Sequence, residues 1–162
     1  VSKSNLLTIT GGKWTTFRKM GEDTVDAHFK NHGLQKLAST SAEKHLHGYS
    51  EEEIEGHLQL YGADAASVLD LQKQRPELKE RLHEAYPYSA AEVVWAVREE
   101  MALKIEDFLS RRCRILLLDA KASMQMAPKV AEIMAKELKK DEAWITEELE
   151  EFNKLAKKYL IK

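Results

Sequence analysis

The chain has 162 residues, of which 43% are hydrophobic and 32% are charged, so we expect one domain, or a domain plus a fragment, with a compact core. Its 25 basic and 27 acidic residues give a net charge of −2, which provides no general attraction to nucleic acid. Three prolines and seven glycines are too few for a β-rich or low-complexity protein. The single cysteine, Cys113, excludes an internal disulfide and favours a reducing compartment. The arginines beside it would lower the pKa of an exposed thiol, but we favour a buried, inert one.

No apolar run in the sequence approaches the roughly 20 residues that span a bilayer, and no signal peptide is visible. We therefore expect a soluble or peripheral protein. The chain begins at Val1 rather than at a methionine, so we also expect it to be cut from something longer.

The first predicted elements are a strand over Leu6–Thr10, a turn at Gly11 and Gly12, and a helix from about Trp14 to Asn31. The free N–H groups and the positive dipole end of such a helix bind anions, and Lys13 adds a full positive charge at the same point. The other interpretation is a structural turn in which glycine merely permits a positive φ angle. The sequence pattern leaves both interpretations open.

The known nucleotide motifs do not occur here. A P-loop has a glycine where this chain has Leu7 and a serine or threonine where it has Trp14, and no G-x-G-x-x-G is present. A self-sufficient nucleotide site is therefore not expected.

The rest of the chain reads as a linker over residues 34–49 and a helical domain over residues 50–162. Ser50 predicts a capped helix ending near Gly62, Ser89 with Glu92 predicts a second capping box, and Asp141 is expected to cap the last helix. Pro128 is expected to kink a helix or to start a new one. The predicted strand leaves its edges unpaired, so it needs a sheet that this chain does not contain.

Charged side chains concentrate beside apolar residues in the middle of the helical domain. Glu92, Arg98, Glu99 and Asp107 are predicted either to form a partly buried ion network or to lie on a solvated helical face. His28 and His32 stand four apart on one helix, but no third ligand recurs at metal spacing. We therefore expect no metal site.

Several stretches, in this order, resemble FAD-dependent glycerol-3-phosphate dehydrogenases of the aerobic and mitochondrial type. They are Leu6–Met20, Tyr61–Leu71, Ala91–Ala102 and Glu106–Arg112, continuing to Asp119 and through Pro128–Val130. The chain departs from the family at Phe17, where a tyrosine is usual, and at Ser110, where alanine is common.

The resemblance implies an all-α C-terminal domain over residues 50–162, preceded by a strand-turn-helix remnant of the FAD-binding domain over residues 1–33 and a linker over residues 34–49. The family oxidises glycerol 3-phosphate to dihydroxyacetone phosphate, with hydride passing to FAD and electrons to quinone, or to oxygen in the oxidase relatives. This fragment alone is expected to be inactive and to bind no FAD, because it lacks the turn that seats the FAD pyrophosphate.

The resemblance also implies roles for individual residues. The cofactor-binding set is Gly11, Gly12, Lys13, Thr15 and Thr16: Gly12, Lys13 and either Thr15 or Thr16 lie by the N1–C2=O edge of the flavin, and Gly11 and Gly12 let the backbone come close. No catalytic residue is assigned within the fragment. A structural ion network is expected from Glu92, Arg98, Glu99, Asp107, Arg111 and Arg112. If Asp107 belongs to a buried pair, Asp107→Ala should cost about 3–5 kcal/mol of stability.

The expected partners are the N-terminal FAD and substrate domain of the same protein, together with glycerol 3-phosphate and quinone, while homodimer formation is left open. The full-length enzyme is expected in the cytoplasm, peripherally attached to the inner membrane. Two other hypotheses are an independent helical module that binds protein partners, and a small phosphate binder that uses the Gly11–Thr16 turn.

Overall fold

The computed structural model describes residues 1–160 and divides the chain into two compact units, Val1–Tyr49 and Ser50–Lys162. We call them the amino-terminal unit and the helical unit. Ile161 and Lys162, the last residues of the predicted helical domain, lie outside the described residues.

The described part of the helical unit, residues 50–160, contains five α-helices joined by connections of different lengths. They are α2 (Ala65–Gln74), α3 (Ala90–Glu99), α4 (Ile115–Leu118), α5 (Ala120–Leu138) and α6 (Glu142–Ala156), and α1 (Phe17–Asn31) belongs to the amino-terminal unit. Tighter 3₁₀ turns cover Gly56–Asp64, Pro76–Lys79 and Lys157–Tyr159, and a wider π-helical turn covers Asp107–Arg112. Within residues 1–160 no helix has both the length and the apolar character that crossing a membrane requires. The all-α prediction for this domain is confirmed.

The core of the helical unit forms around α5, which packs against α3, α4 and α6. Its largest fully buried side chains include Phe108, Ile105, Leu109, Met126 and Met134. A second, smaller cluster joins α2 and α3, and its buried members are Val68, Leu78, Ala90, Ala91 and Val94. Because Ile133 of α5 packs against both clusters, the two form one continuous interior.

Local capping explains where several of these helices begin. Both halves of the predicted Ser89–Glu92 capping box are present at the start of α3, and the Asp141 carboxylate accepts the Trp144 N–H at the start of α6. These two predictions are confirmed. The Ser50 prediction is wrong, because the Ser50 hydroxyl closes a short turn with the backbone of Glu52 and no helix follows until residue 56. Pro128 lies inside the uninterrupted α5 and starts no new helix.

The amino-terminal unit consists of a 3₁₀ turn, Trp14–Thr16, that leads into α1 (Phe17–Asn31), followed by an irregular segment. None of its residues is fully buried. The strand predicted at Leu6–Thr10 is not formed, because these residues pair with no other strand among residues 1–160. A strand needs neighbouring strands whose backbone groups form hydrogen bonds with its own, and none is present for Leu6–Thr10 in the described residues.

Candidate functional site

The double glycine before α1 adopts a backbone that other residues rarely take. Gly11 and Gly12 have φ angles of 85° and 92°, in the region where a Cβ atom meets the following carbonyl. A Cβ atom on Gly12 would also lie 2.1 Å from the Met20 Sδ atom of α1. Gly12 is therefore favoured for its φ angle, while the close contact would be relieved by movement of the flexible Met20 side chain.

The side chain of Thr16 closes this turn. Its hydroxyl accepts the Lys13 N–H at 2.9 Å and donates to the Lys13 carbonyl oxygen at 2.9 Å, while the Thr16 N–H donates to the same carbonyl at 2.9 Å. The O–H proton and one of the two acceptor positions of this hydroxyl are used within the turn, so Thr16 shapes the turn.

Three donors at the turn remain free. The N–H groups of Trp14 and Thr15 have no backbone or side-chain acceptor among the described residues, and the exposed ammonium group of Lys13 has none either. All three stand at the start of the helical segment, where the helix dipole adds positive potential. Of the five predicted cofactor-binding residues, Lys13 and Thr15 thus present free donors. Gly11, Gly12 and Thr16 build the backbone that presents them.

The surface around this turn is unusually apolar. A groove of about 700 Å³ runs along the turn and α1, and its lining includes Ile9, Trp14, Phe17 and Val25. Trp14 is 87% exposed and stacks on Phe17 with ring centroids 5.5 Å apart. No residue of this unit is fully buried, and its exposed apolar surface is typical of a surface that contacts another protein surface.

In the helical unit, the six residues of the predicted ion network do not come together. Glu92 is fully buried and makes four contacts that involve neither the other five nor any lysine or arginine. Its carboxylate accepts the N–H and the hydroxyl of Ser89 at 2.7 and 3.1 Å, the Tyr61 hydroxyl at 3.2 Å, and lies 3.1 Å from His57 Nε2.

Arg98 belongs to a different group. Its Nε atom donates to Glu137 of α5 at 2.6 Å, and Arg75 donates to the other oxygen of the same carboxylate at 3.2 Å. This triad ties the end of α2 and the end of α3 to α5. Glu99 is exposed and forms no ion pair within residues 1–160.

The remaining three residues form a group at the π-helical turn. The Asp107 carboxylate accepts the N–H groups of Leu103 and Lys104, each at 2.9 Å, and pairs with Arg111 at 3.0 Å. Arg112 donates to the Asp107 carbonyl oxygen at 2.6 Å. These charges hold the turn that brings Phe108 and Leu109 into the core.

His57, Tyr61 and Glu137 are partners of these charged groups that the sequence pattern does not predict. A signal existed for the first two, because Glu92 has buried apolar neighbours on α3 and its carboxylate therefore had to find donors inside the unit. Glu137 lies 39 and 62 residues from its two arginines, a separation that no local spacing rule covers.

Burial sets the protonation of two groups near Glu92. It raises the pKa of the Cys113 thiol to about 11, and it raises the pKa of Tyr61 further, with the Glu92 charge adding to the effect. The three neighbouring arginines do not lower the pKa of Cys113, so this thiol is protonated at neutral pH.

The histidines do not assemble a metal site in the described part of the chain. Groups of three or more His, Cys, Asp or Glu side chains that would hold a metal ion are absent from residues 1–160. The rings of His28 and His32 lie beside each other instead, with centroids 4.2 Å apart and planes tilted by 33°.

Comparison with known proteins identifies relatives of the whole chain. The family described as the C-terminal domain of alpha-glycerophosphate oxidase matches residues 2–145. Mitochondrial glycerol-3-phosphate dehydrogenase of Bos taurus is 34% identical over 93% of the chain, and a probable mitochondrial glycerol-3-phosphate dehydrogenase of Dictyostelium discoideum is 35% identical over 99%. The mitochondrial protein of the same name from Arabidopsis thaliana is 32% identical over 90%. The matches cover 23%, 27% and 28% of these relatives, so the chain spans about a quarter of their length. No solved structure matches the chain.

Proposed function

Because the chain belongs to the family of the C-terminal domain of alpha-glycerophosphate oxidase, we propose that it forms the C-terminal part of a flavoenzyme that oxidises glycerol 3-phosphate to dihydroxyacetone phosphate. The observation that carries this proposal is the family match over residues 2–145. The printed names of the relatives, glycerol-3-phosphate dehydrogenases from animals, a slime mould and a plant, support the substrate.

In this proposal residues 1–33 complete the FAD-binding domain, residues 34–49 are a linker and residues 50–162 are the helical C-terminal domain. The exposure of apolar side chains such as Leu6, Ile9 and Trp14 supports the first assignment, because a partner surface is needed to cover them. The unpaired segment Leu6–Thr10 has the β-branched, apolar composition of a strand that would join a sheet of that domain.

The free donors of the turn fit the edge of a flavin. Bound FAD would supply the acceptor for the substrate hydride, and the donors of the turn would face its N1–C2=O edge, where negative charge would develop. The N–H groups of Trp14 and Thr15 and the Lys13 ammonium are unpaired donors of the kind that stabilises such charge. Gly11 and Gly12 leave room for a close approach of the backbone, and Thr16 fixes the turn.

The experiment uses the full-length protein and compares Lys13→Ala with Lys3→Ala, which removes another exposed lysine of the same unit. Lys13→Ala should lower kcat for glycerol 3-phosphate with a dye acceptor by roughly 100-fold, since one electrostatic donor is lost. It should also make the bound flavin harder to reduce, as seen in a redox titration. The proposal is wrong if full-length protein that contains flavin does not oxidise glycerol 3-phosphate. Equal effects of the two lysine variants would remove Lys13 from the site.

We propose that the 162-residue chain alone binds no FAD and has no activity. It contains no G-x-G-x-x-G turn for the FAD pyrophosphate. A fluorescence titration of FAD with the chain should therefore show no saturable quenching, and saturable quenching would contradict this part of the proposal.

We propose quinone as the electron acceptor, in keeping with the dehydrogenase names of the relatives, while the family description names an oxidase. The two acceptors give different products. Reduction of a soluble quinone without hydrogen peroxide supports the dehydrogenase, whereas one equivalent of peroxide per glycerol 3-phosphate identifies an oxidase.

We further propose that the full-length enzyme is attached peripherally to the inner membrane, on the cytoplasmic side. The relatives carry mitochondrial names, which fits an enzyme that delivers electrons to a membrane quinone. High salt or alkaline carbonate should release a peripheral protein from isolated membranes, and retention after both washes would contradict peripheral attachment.

A further inference from the structure

Glu92 is a fully buried carboxylate whose partners are unevenly distributed along the chain. Two of its four contacts come from Ser89, the capping residue of its own helix. The other two come from His57 and Tyr61, which lie 35 and 31 residues earlier. A buried carboxylate with these donors is well compensated, but each donor that is removed leaves it short of one partner.

The segment that carries His57 and Tyr61 packs against α2 and against the small cluster between α2 and α3 without burying any of its own residues completely. We call Gly56–Asp64 the strap. It is a 3₁₀ segment with a kink at Gly62, where φ is 55° and ψ is −134°, and none of its residues is fully buried. Bonds in 3₁₀ turns have poorer geometry than those of α-helices, so the strap contributes little stability of its own. Leu58 and the Tyr61 ring pack against the small cluster between α2 and α3.

We propose that Glu92 is the anchor of the strap, and that loss of this anchor opens the strap while the rest of the helical unit stays folded. The strap and the six residues before it are the first part of the helical unit after the boundary at Tyr49. Opening the nine residues of the strap adds up to about 30 Å to the connection between the two units, at about 3.3 Å per residue. Glu92 thus sets the length of the tether. This inference uses contacts of the helical unit alone and does not depend on the flavoenzyme proposal.

The anchor has neighbours that shape its surroundings. The His57 ring lies edge-on to Tyr88, with ring centroids 5.5 Å apart, and Gln72 of α2 donates to the Ser89 hydroxyl at 3.1 Å. His57 is the more exposed member of the His57–Glu92 pair, with 26% of its side chain exposed. Opening therefore begins on the His57 side, where water reaches the pair.

The test is hydrogen–deuterium exchange of the 162-residue chain, followed by mass spectrometry of peptides from the strap and from α5. Glu92→Gln keeps an oxygen for the Ser89 N–H but loses the charge, and Glu99→Gln makes the same change at an exposed position of the same helix. Strap peptides should exchange about tenfold faster in Glu92→Gln than in Glu99→Gln. Peptides of α5 should exchange at the same rate in both.

Two further variants separate the anchor from general stability. His57→Phe keeps an aromatic ring beside Tyr88, and Tyr61→Phe removes only a hydroxyl, so both leave the apolar contacts in place. Each variant should increase the exchange rate of the strap peptides. In the double variant of His57→Phe and Glu92→Gln, these peptides should exchange no faster than in Glu92→Gln alone. If Glu92→Gln does not fold, these two variants carry the test. The proposal is overturned if the strap peptides exchange at the parent rate in all of these variants, or if the exchange rate of the α5 peptides rises equally.

Discussion

Asp107 holds the π-helical turn through three contacts, and Asp107→Ala removes all of them. Its carboxylate accepts the N–H groups of Leu103 and Lys104 and pairs with Arg111. The same π-helical turn contains Phe108 and Leu109, which are both fully buried. Loss of the carboxylate therefore leaves two backbone donors without their partner directly before a segment that anchors the core.

The cost follows from the exposure of each group. Hydrogen bonds to a charged acceptor contribute about 1.5–3 kcal/mol each when they are buried. The Asp107 side chain is 25% exposed and Arg111 is 56% exposed. Water therefore replaces part of the backbone contacts, and the ion pair adds only about 0.3–0.5 kcal/mol. We expect a loss of about 2–3 kcal/mol in the free energy of unfolding, below the 3–5 kcal/mol expected for a buried pair.

Urea denaturation of the 162-residue chain, followed by circular dichroism, measures this loss. Asp107→Asn retains one oxygen for the backbone donors and should lose about half as much stability. Glu99→Ala changes an exposed, unpaired carboxylate and should stay within about 0.5 kcal/mol of the parent. If Asp107→Ala is no less stable than Glu99→Ala, the contacts at the π-helical turn do not stabilise the unit and our reasoning is wrong.

Three further predictions concern other parts of the chain. A chain that begins at Ser50 should unfold at the same urea concentration as the helical unit of the full chain, because both core clusters, and Leu58 and Tyr61 that pack against the smaller one, lie after residue 50; a lower midpoint would contradict this. Iodoacetamide at pH 8 should leave Cys113 unmodified in the folded chain and modify it in urea, since burial raises its pKa to about 11; rapid labelling of folded protein would contradict burial. Hydrogen bonds from the Ala122 N–H and the Tyr86 hydroxyl lower the pKa of Asp119 in the folded chain. The ionised Asp119 therefore stabilises the fold above the pKa of an aspartate in the unfolded chain, about 4, and this stabilisation is lost as the pH falls through the pKa of the folded chain. The difference in stability between the parent and Asp119→Asn should therefore shrink below about pH 4, and a difference independent of pH would refute the assignment.

The features that the sequence predicts well are those that local chemistry decides. Ser89 with Glu92, and Asp141, cap helices because a short polar side chain satisfies free N–H groups two or three residues ahead. The same rule fails at Ser50, where the residues after it include Gly56 and never join a regular helix. Pro128 is tolerated within α5, whose fully buried neighbours Met126, Ala127 and Val130 hold that helix in the core. Tertiary packing here outweighs the local preference of proline.

The charged residues were harder to predict because their partners lie far away in the chain. The sequence predicts one network from the proximity of Glu92, Arg98 and Asp107, whereas the structure distributes them among three groups. Charge pattern shows which residues need partners, but the packing of α2, α3 and α5 decides which partners they find. For this reason the sequence predicts the helix that carries Glu137, but no local pattern indicates that its carboxylate accepts hydrogen bonds from Arg98 and Arg75.

The turn before α1 separates two kinds of residue that the family resemblance groups together. Gly12 has a positive φ angle and a close contact with Met20, and Thr16 forms hydrogen bonds with Lys13, so both residues maintain the shape of the turn. Substitutions of either residue should therefore distort the turn. Lys13 and Thr15 have exposed side chains, and the Lys13 ammonium and the Thr15 N–H lack an acceptor, so stability of the turn does not explain them. Free amides are a feature of every helix start, where water or an anion accepts from them, and the charge of Lys13 favours an anion at this one. Within the proposed flavoenzyme, Lys13→Ala should therefore change the chemistry of the flavin, whereas Thr16→Val should change its occupancy.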